Sequence, residues 1–380
     1  MTETEATIYL ITCALHQKKP NPADVPDLDE LLRFAMRQSV AALLGKLLTD
    51  NNLLVGGDRE AWNELFFKNL RKTLAFDAER KKLEAALDNV GIRHAPLKGI
   101  VLNRLYPVYG MREFADNDIL VDDNRQSDLR RIMADLGYQL THFSQEVDLS
   151  FHKEPFFNFE LHHRLFADKK RLTALNDYYN DVHSKLLPAG GSAYAYRFSD
   201  EDFYIYICAH AYKHYTGSGI GVRQLMDIYL YRQKIPTDAA YVTRELQTLG
   251  ILSFVRQLES LADKLFSPEQ PFSEDSLTAG EQQLFTHSIG HSVYGSLEQF
   301  YNSQITDYLD AQGGGRQRYC LHRLFPDIRD YKDTHPVFYR HKVLHPLFYV
   351  YRPFYSLFTN RGKLMKELQS VAKYRSKKEK

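Results

Sequence analysis

The stretch MREFADNDILVDD, residues 111–123, places two carboxylates, Asp116 and Asp118, on either side of Asn117 at the mouth of an apolar run. In a strand, residues i and i+2 project to the same face. Asp116 and Asp118 therefore point together if the strand begins at or before 116. Like charges this close repel, and one carboxyl pKa must rise unless a cation neutralises the pair. A divalent ion such as Mg²⁺ or Mn²⁺ is the usual solution, since hard cations take carboxylate oxygens and leave positions for substrate phosphates. Such ions stabilise attacking and leaving oxygens in phosphoryl or nucleotidyl transfer. An isolated Asp-x-Asp also fits an ordinary surface turn, so its neighbours decide.

Three neighbours favour the site. Lys98-Gly99 falls between a predicted strand and a short helix, where a glycine lets backbone N–H groups approach a phosphate. Arg112 stands four residues before Asp116 and could fork onto a phosphate. Glu160, in FFNFELHHRL, shares a strand face with Asn158 and His162, opposite Phe157, Phe159 and Leu161. A carboxylate on an adjacent strand would complete a metal set of Asp116, Asp118 and Glu160. His210 and His214 share a helix face; zinc is the weaker reading, because no third ligand is evident.

The elements that must hold these residues follow from periodicity. Apolar spacing predicts one helix over 28–48 and a long amphipathic helix over 59–90, with Leu70, Leu74, Leu83 and Leu87 as core positions and Gly91 as its stop. Residues 92–107 read as strand, turn and short helix, 117–121 as a strand, and 127–137 as a helix. Further strands are expected near 146–151 and 156–163. From Ser199, capping toward Asp202, helices are predicted over 200–214, 223–233, 239–249 and 251–266. Gly313–Gly315 reads as a joint. The expected fold is α+β and mostly helical. A small mixed sheet over 91–198 is flanked by an N-terminal helical region, 1–90, and a C-terminal one, 199–380.

Composition bounds the rest. The chain has 380 residues, 44% apolar and 26% charged, enough for a folded core. A net charge of +1 argues against a uniformly basic nucleic-acid coat. Cys13, Cys208 and Cys320 form neither a disulfide framework nor a zinc pattern. With no leader-like start and no apolar window of about 18 residues, the expected location is the cytoplasm. Residues 337–380 are different, with eleven Lys and Arg against two Glu. Basic residues interleaved with aromatics, as in HPLFYVYRPFYSLF, fit RNA, an anionic membrane surface, or packing into the helical region with only the tail solvated.

The order LKG, short helix, LYP, Arg112, Asp116-x-Asp118-Ile-Leu-Val and a strand ending ELHHRL resembles the uncharacterised nucleotidyltransferase-like family of bacteria. That family is a branch of the DNA polymerase β-like nucleotidyltransferases. The likeness is strongest over 90–165 and continues through 209–231 and Tyr294-Gly295. It implies a nucleoside triphosphate, ATP favoured, bound with Mg²⁺ or Mn²⁺, and transfer of its nucleotidyl group to an acceptor hydroxyl. It also implies that Asp116 and Asp118 are paired ligands, that Glu160 is the third acid, acting as ligand or base, and that Lys98, Gly99, Arg112 and His162 lie on the nucleotide. His210, His214, Arg223 and Asp227 match a substrate-side helix region. An Arg223–Asp227 salt bridge is the bland reading of the last two. The chain departs from the wider superfamily in carrying Lys-Gly where Gly-Gly or Gly-Ser is usual. The acceptor could be a small molecule, RNA or a protein. The rival readings are a nucleotide-binding protein without turnover, a helical scaffold or adaptor, and a toxin-like enzyme modifying tRNA or protein.

Overall fold

A computed structural model describes residues 1–143, 147–217, 219–290, 297–312, 316–328 and 336–359, with 365, 367, 370 and 371. Tyr294-Gly295, the Gly313–Gly315 joint and the tail 373–380 lie outside these residues. The fold is α+β and mostly helical, as expected, with 65% of the described residues in helices.

Four helices come first: α1 (Glu3–His16), α2 (Leu28–Gln38), α3 (Ala41–Asp50) and α4 (Gly56–Asn89). The single helix expected over 28–48 is two. Ser39 turns left-handed at φ +53 and closes α2, and Val40 N–H donates to Ala35 O. No Gly or Pro marks the break, and the apolar spacing continues across it. Helix α4 is one long element, and Gly91, at φ +69, follows its end as a helix-stopping glycine should. Its buried stripe runs Trp62, Phe66, Asn69, Thr73, Phe76, Glu79, Leu83 and Leu87. Leu83 and Leu87 are core as expected and Leu70 is half-buried, but Leu74 is exposed. The stripe passes through polar Asn69 and Thr73 instead, because Asn69 Nδ2 donates to Gly110 O and Arg112 O below it.

The sheet follows: β1 (His94–Pro96), α5 (Lys98–Leu102), β2 (Asn117–Val121), α6 (Gln126–Asp135), β3 (Gln139–Phe143), β4 (Asp148–Lys153) and β5 (Phe157–His162). Its order is β1-β2-β5-β4-β3, with β2 and β5 parallel and the other neighbours antiparallel. Strand β3 is an addition to the expectation. Alternation splits the sheet. Ile119, Val121, Leu149, Phe151, Phe159 and Leu161 form one core with Leu83, Leu87 and α6 residues Leu129, Ile132 and Met133. Asp118 of β2, Asp148, Ser150 and His152 of β4, and Asn158, Glu160 and His162 of β5 turn the other way.

Helix α7 (Thr173–Tyr178) and the hairpin β6 (Leu186–Pro188) and β7 (Tyr196–Phe198) lead into α8 (Asp200–Tyr215), α9 (Val222–Lys234), α10 (Ala239–Thr248), α11 (Leu252–Phe266) and α12 (Ala279–Gly290). Ser199 Oγ caps α8, accepting from Asp202 N–H at 3.0 Å. Beyond lie α13 (Leu297–Gln312), α14 (Arg316–Leu324), α15 (Pro336–Arg340) and α16 (His345–Thr359). Both helical flanks and the sheet's inner edge share one apolar core, which includes Ile8, Leu43, Leu97, Leu120, Ile205, Leu225 and Leu258.

Candidate active site

Parallel pairing of β2 with β5 sets Asp118 beside Glu160 and Leu120 beside His162. The period of two turns Asp118, Glu160 and His162 to the same side of the sheet. His162 Nε2 lies 2.9 Å from Asp118 Oδ1 and 3.5 Å from Glu160 Oε2, and Lys98 Nζ donates to Asp118 Oδ1 at 2.6 Å. Burial alone would raise the Asp118 pKa; Lys98 and His162 overcome it and hold the carboxyl well below its usual range. Burial likewise opposes charge on His162, but its hydrogen bonds to Asp118 and Glu160 raise its pKa. The strand ladder begins at Asn117, so Asp116 sits just outside it. Its pKa is pushed up to about 6, first by burial and then by the Asp118 charge.

A cavity of about 460 Å³ opens between this sheet face and helices α8 and α9. All eleven residues singled out in the sequence line it: Lys98, Gly99, Arg112, Asp116, Asp118, Glu160, His162, His210, His214, Arg223 and Asp227. Several do different work from that expected. Arg112 is buried and engaged: Nε and Nη2 donate to the two Asp227 oxygens at 2.8 Å each, and Tyr106 Oη donates to the same carboxylate. The guanidinium is thus already forked onto a carboxylate, and only its buried Nη1 lacks a hydrogen-bond partner among the described residues. The expected Arg223–Asp227 bridge is replaced by this Arg112–Asp227 pair, while Arg223 Nη1 donates to Glu113 O at 2.6 Å.

Lys98 has φ +41, a left-handed conformation disfavoured for a side chain. A glycine would occupy that position without strain. Gly99 is needed for another reason: a Cβ on it would stand 2.8 Å from Arg112 Nη1. His210 and His214 have Nε2 atoms 3.2 Å apart. Burial and nearby cations lower both pKa values, His214 to about 3, so the pair is neutral. His163, next to His162, is buried.

The ligand atoms of Asp118, Glu160 and His162 lie within 4.8 Å of one another, the spacing a single metal ion requires. Asp116 is not in that set, and an imidazole joins two carboxylates in its place. The donor set fits a divalent ion that accepts both oxygen and nitrogen, Mn²⁺ at least as well as Mg²⁺.

A family described as uncharacterised nucleotidyltransferase matches residues 24–267. The chain belongs to this family. No curated protein and no solved structure matches the chain. The nucleotidyltransferase match spans the whole cavity lining, from Lys98 to Ile228.

Sequence reading missed five polar lining residues: His142, Asp148, Ser150, Lys213 and Gln224. Asp148 and Ser150 share the polar face of β4, paired with His162 and Glu160, and alternation along 148–153 could have shown them. Lys213 carries no such signal. It lies between His210 and His214 on α8, and its pKa is lowered to about 8, first by burial and then by Lys98.

Proposed function

We propose that the chain moves a nucleotidyl group from a nucleoside triphosphate, ATP favoured, to an acceptor hydroxyl and releases pyrophosphate. The observation that carries this reading is the convergence of Asp118, Glu160 and His162, with Asp116 alongside, in one cavity edged by Lys98, Lys213 and Arg223. Asp118, Glu160 and His162 would hold the divalent ion, with Asp116 as a further carboxylate. The bound ion would neutralise charge developing on the phosphoryl oxygens.

The chain's own groups supply the rest. Lys98, Lys213 and Arg223 attract and orient the triphosphate. The acceptor oxygen bonds to the α-phosphorus in line with the leaving group. The α–β bridging P–O bond breaks, and pyrophosphate leaves with the electron pair. Glu160 takes the hydroxyl proton: its side chain is 33% exposed, against 3% for Asp118, so it is the member of the set open to an acceptor. The neutral His210–His214 pair and Ile207 wall the cavity opposite the carboxylates.

The test is calorimetric titration of ATP, GTP, CTP and UTP with Mg²⁺ and with Mn²⁺, on the wild type and on Asp116→Asn/Asp118→Asn. Metal-dependent binding of a nucleotide that the double variant loses supports the reading. A folded wild type that binds none of the four sinks it and favours a scaffold. Nucleotide binding without incorporation of labelled α-phosphate into any acceptor favours a nucleotide-binding protein without turnover.

A further inference from the structure

Exposed large apolar side chains are concentrated in one C-terminal stretch of the chain. Eighteen large apolar side chains are exposed among the described residues, and nine of them lie between Leu321 and Met365. This segment lies beyond the family match, which ends at 267, and none of its described residues lines the cavity. Helices α14, α15 and α16 pack together through Phe325–Tyr349, Phe338–Phe348 and Phe338–Tyr351 ring contacts, with Phe348 fully buried. Outside that small core, two helical stripes face solvent. Leu321 and Leu324 stand at i and i+3 on α14, with Phe325 just past its end, and Leu347 and Val350 repeat the spacing on α16; Phe325 and Tyr351 each give one part to the ring contacts and leave the rest exposed. Val337 and Val343, the latter 88% exposed, stand between them in the sequence.

Apolar stripes of this kind are not left in water without a use. The charge of the segment indicates the partner. Residues 337–380 carry eleven Lys and Arg against two Glu, in a chain whose total is only +1. Exposed Arg340 and Lys342 lie beside Val337 and Val343. We propose that α14–α16 form a peripheral docking surface for an anionic lipid bilayer, with the aliphatic stripes entering the headgroup–acyl boundary and the basic residues meeting lipid phosphates. Amphipathic, Lys- and Arg-rich helices bind bilayers in this way.

RNA fits less well. Single strands are held by stacking bases on free aromatic faces, whereas Phe338 and Tyr351 stack on each other at 5.4 Å and 25°. The side chains turned outward are mostly aliphatic, and aliphatics gain from acyl chains what bases cannot give them. Among the described residues no helix is long and apolar enough to cross a membrane, so the mode is lying on the surface.

The test is sedimentation of the full chain with vesicles of phosphatidylcholine alone and of phosphatidylcholine with phosphatidylglycerol. The expected result is binding to the anionic vesicles only, weakened by salt. Leu347→Asp/Val350→Asp should reduce it at least tenfold, and Arg340→Gln/Lys342→Gln should reduce it with no apolar group removed. Thermal unfolding and nucleotide binding should stay as in the wild type, since none of these residues lines the cavity. The proposal is overturned by absence of binding to anionic vesicles, by equal binding to both vesicle types, or by undiminished binding of the folded variants. It is equally overturned if the same substitutions abolish binding of a poly-U oligonucleotide, or dissolve a dimer seen by sedimentation velocity, while vesicles are ignored.

Discussion

Asp116 and Lys213 set the two edges of the pH range over which the cavity can hold a cation and an anion together. Asp116 is raised from 3.8 to about 6, so below that pH it takes a proton and the carboxylate cluster loses a negative charge. Lys213 is lowered from 10.5 to about 8, so above that pH it loses the positive charge that would meet a triphosphate. Metal–nucleotide affinity should therefore plateau between these values and fall on each side, by no more than about tenfold per pH unit for one titrating group. Calorimetry across pH 5–9 checks this: Asp116→Asn should flatten the acid limb and Lys213→Met the alkaline one. His162→Gln should weaken Mn²⁺ binding about 10–100-fold, whether His162 contacts the ion or only orients Asp118, as read by titration of the metal alone. Asp118 and Glu160 were legible in the sequence because a strand's period of two is strict, whereas Asp116 lies just outside the strand. Lys213 was not, because a single lysine on a helix reads as solvated until the helix is known to cross a sheet face.

Two polar clamps join elements, and each should fail measurably when one partner is removed. Arg112, in the loop before β2, and Asp227, on α9, are 6% and 7% exposed. Asp227→Ala strands a buried guanidinium, which costs about 3–5 kcal/mol and should appear as a lower midpoint in urea. Their spacing of 115 residues explains why sequence reading offered Arg223 to Asp227 instead: the nearer arginine on the same helix is the only partner visible in one dimension. The second clamp is Glu79 on α4, which accepts from Lys153 Nζ on β4 at 2.7 Å and from Tyr138 Oη at 2.9 Å. Burial opposes its charge, but these donors with Lys82 lower its pKa from 4.5 to about 2. A lowered carboxylate pKa stabilises the fold above the unfolded value and ceases to do so as pH falls through the folded one. Glu79→Gln should thus cost up to about 3 kcal/mol at pH 7, with the gap from wild type closing between pH 4.5 and 2. Glu79 shares a helical stripe with Leu83 and Leu87, yet no apolar pattern marks a buried acid.

At the scale of the whole chain, the division into an N-terminal helical region, a sheet core and a C-terminal helical region follows sequence order, while the packing runs across it. Thr12 Oγ1 of α1 donates to Leu265 O at the end of α11, and His16 Nε2 lies 2.9 Å from Phe266 O. Gln38, fully buried, donates to Ser288 O of α12 and accepts from Val222 N–H at the start of α9. No periodicity in residues 1–90 could announce these partners, because amphipathic spacing shows that a helix has an inner face and not what that face meets. The family match begins at residue 24, after α1, which would suggest that the first helix is dispensable. The packing argues the reverse. Ile8, Leu10, Ile11 and Leu15 are all buried in the shared core, and each is worth about 1.5–3 kcal/mol on burial. Together they rival the total stability of about 5–15 kcal/mol typical of a folded protein. A chain of residues 21–380 should therefore lack a cooperative thermal transition and bind a hydrophobic dye at 25 °C, although every residue lining the cavity is retained. Calorimetric unfolding beside the full chain decides it: a sharp transition within a few degrees of the wild type would mean that α1 is an accessory cover and that the family-matched stretch carries its own core.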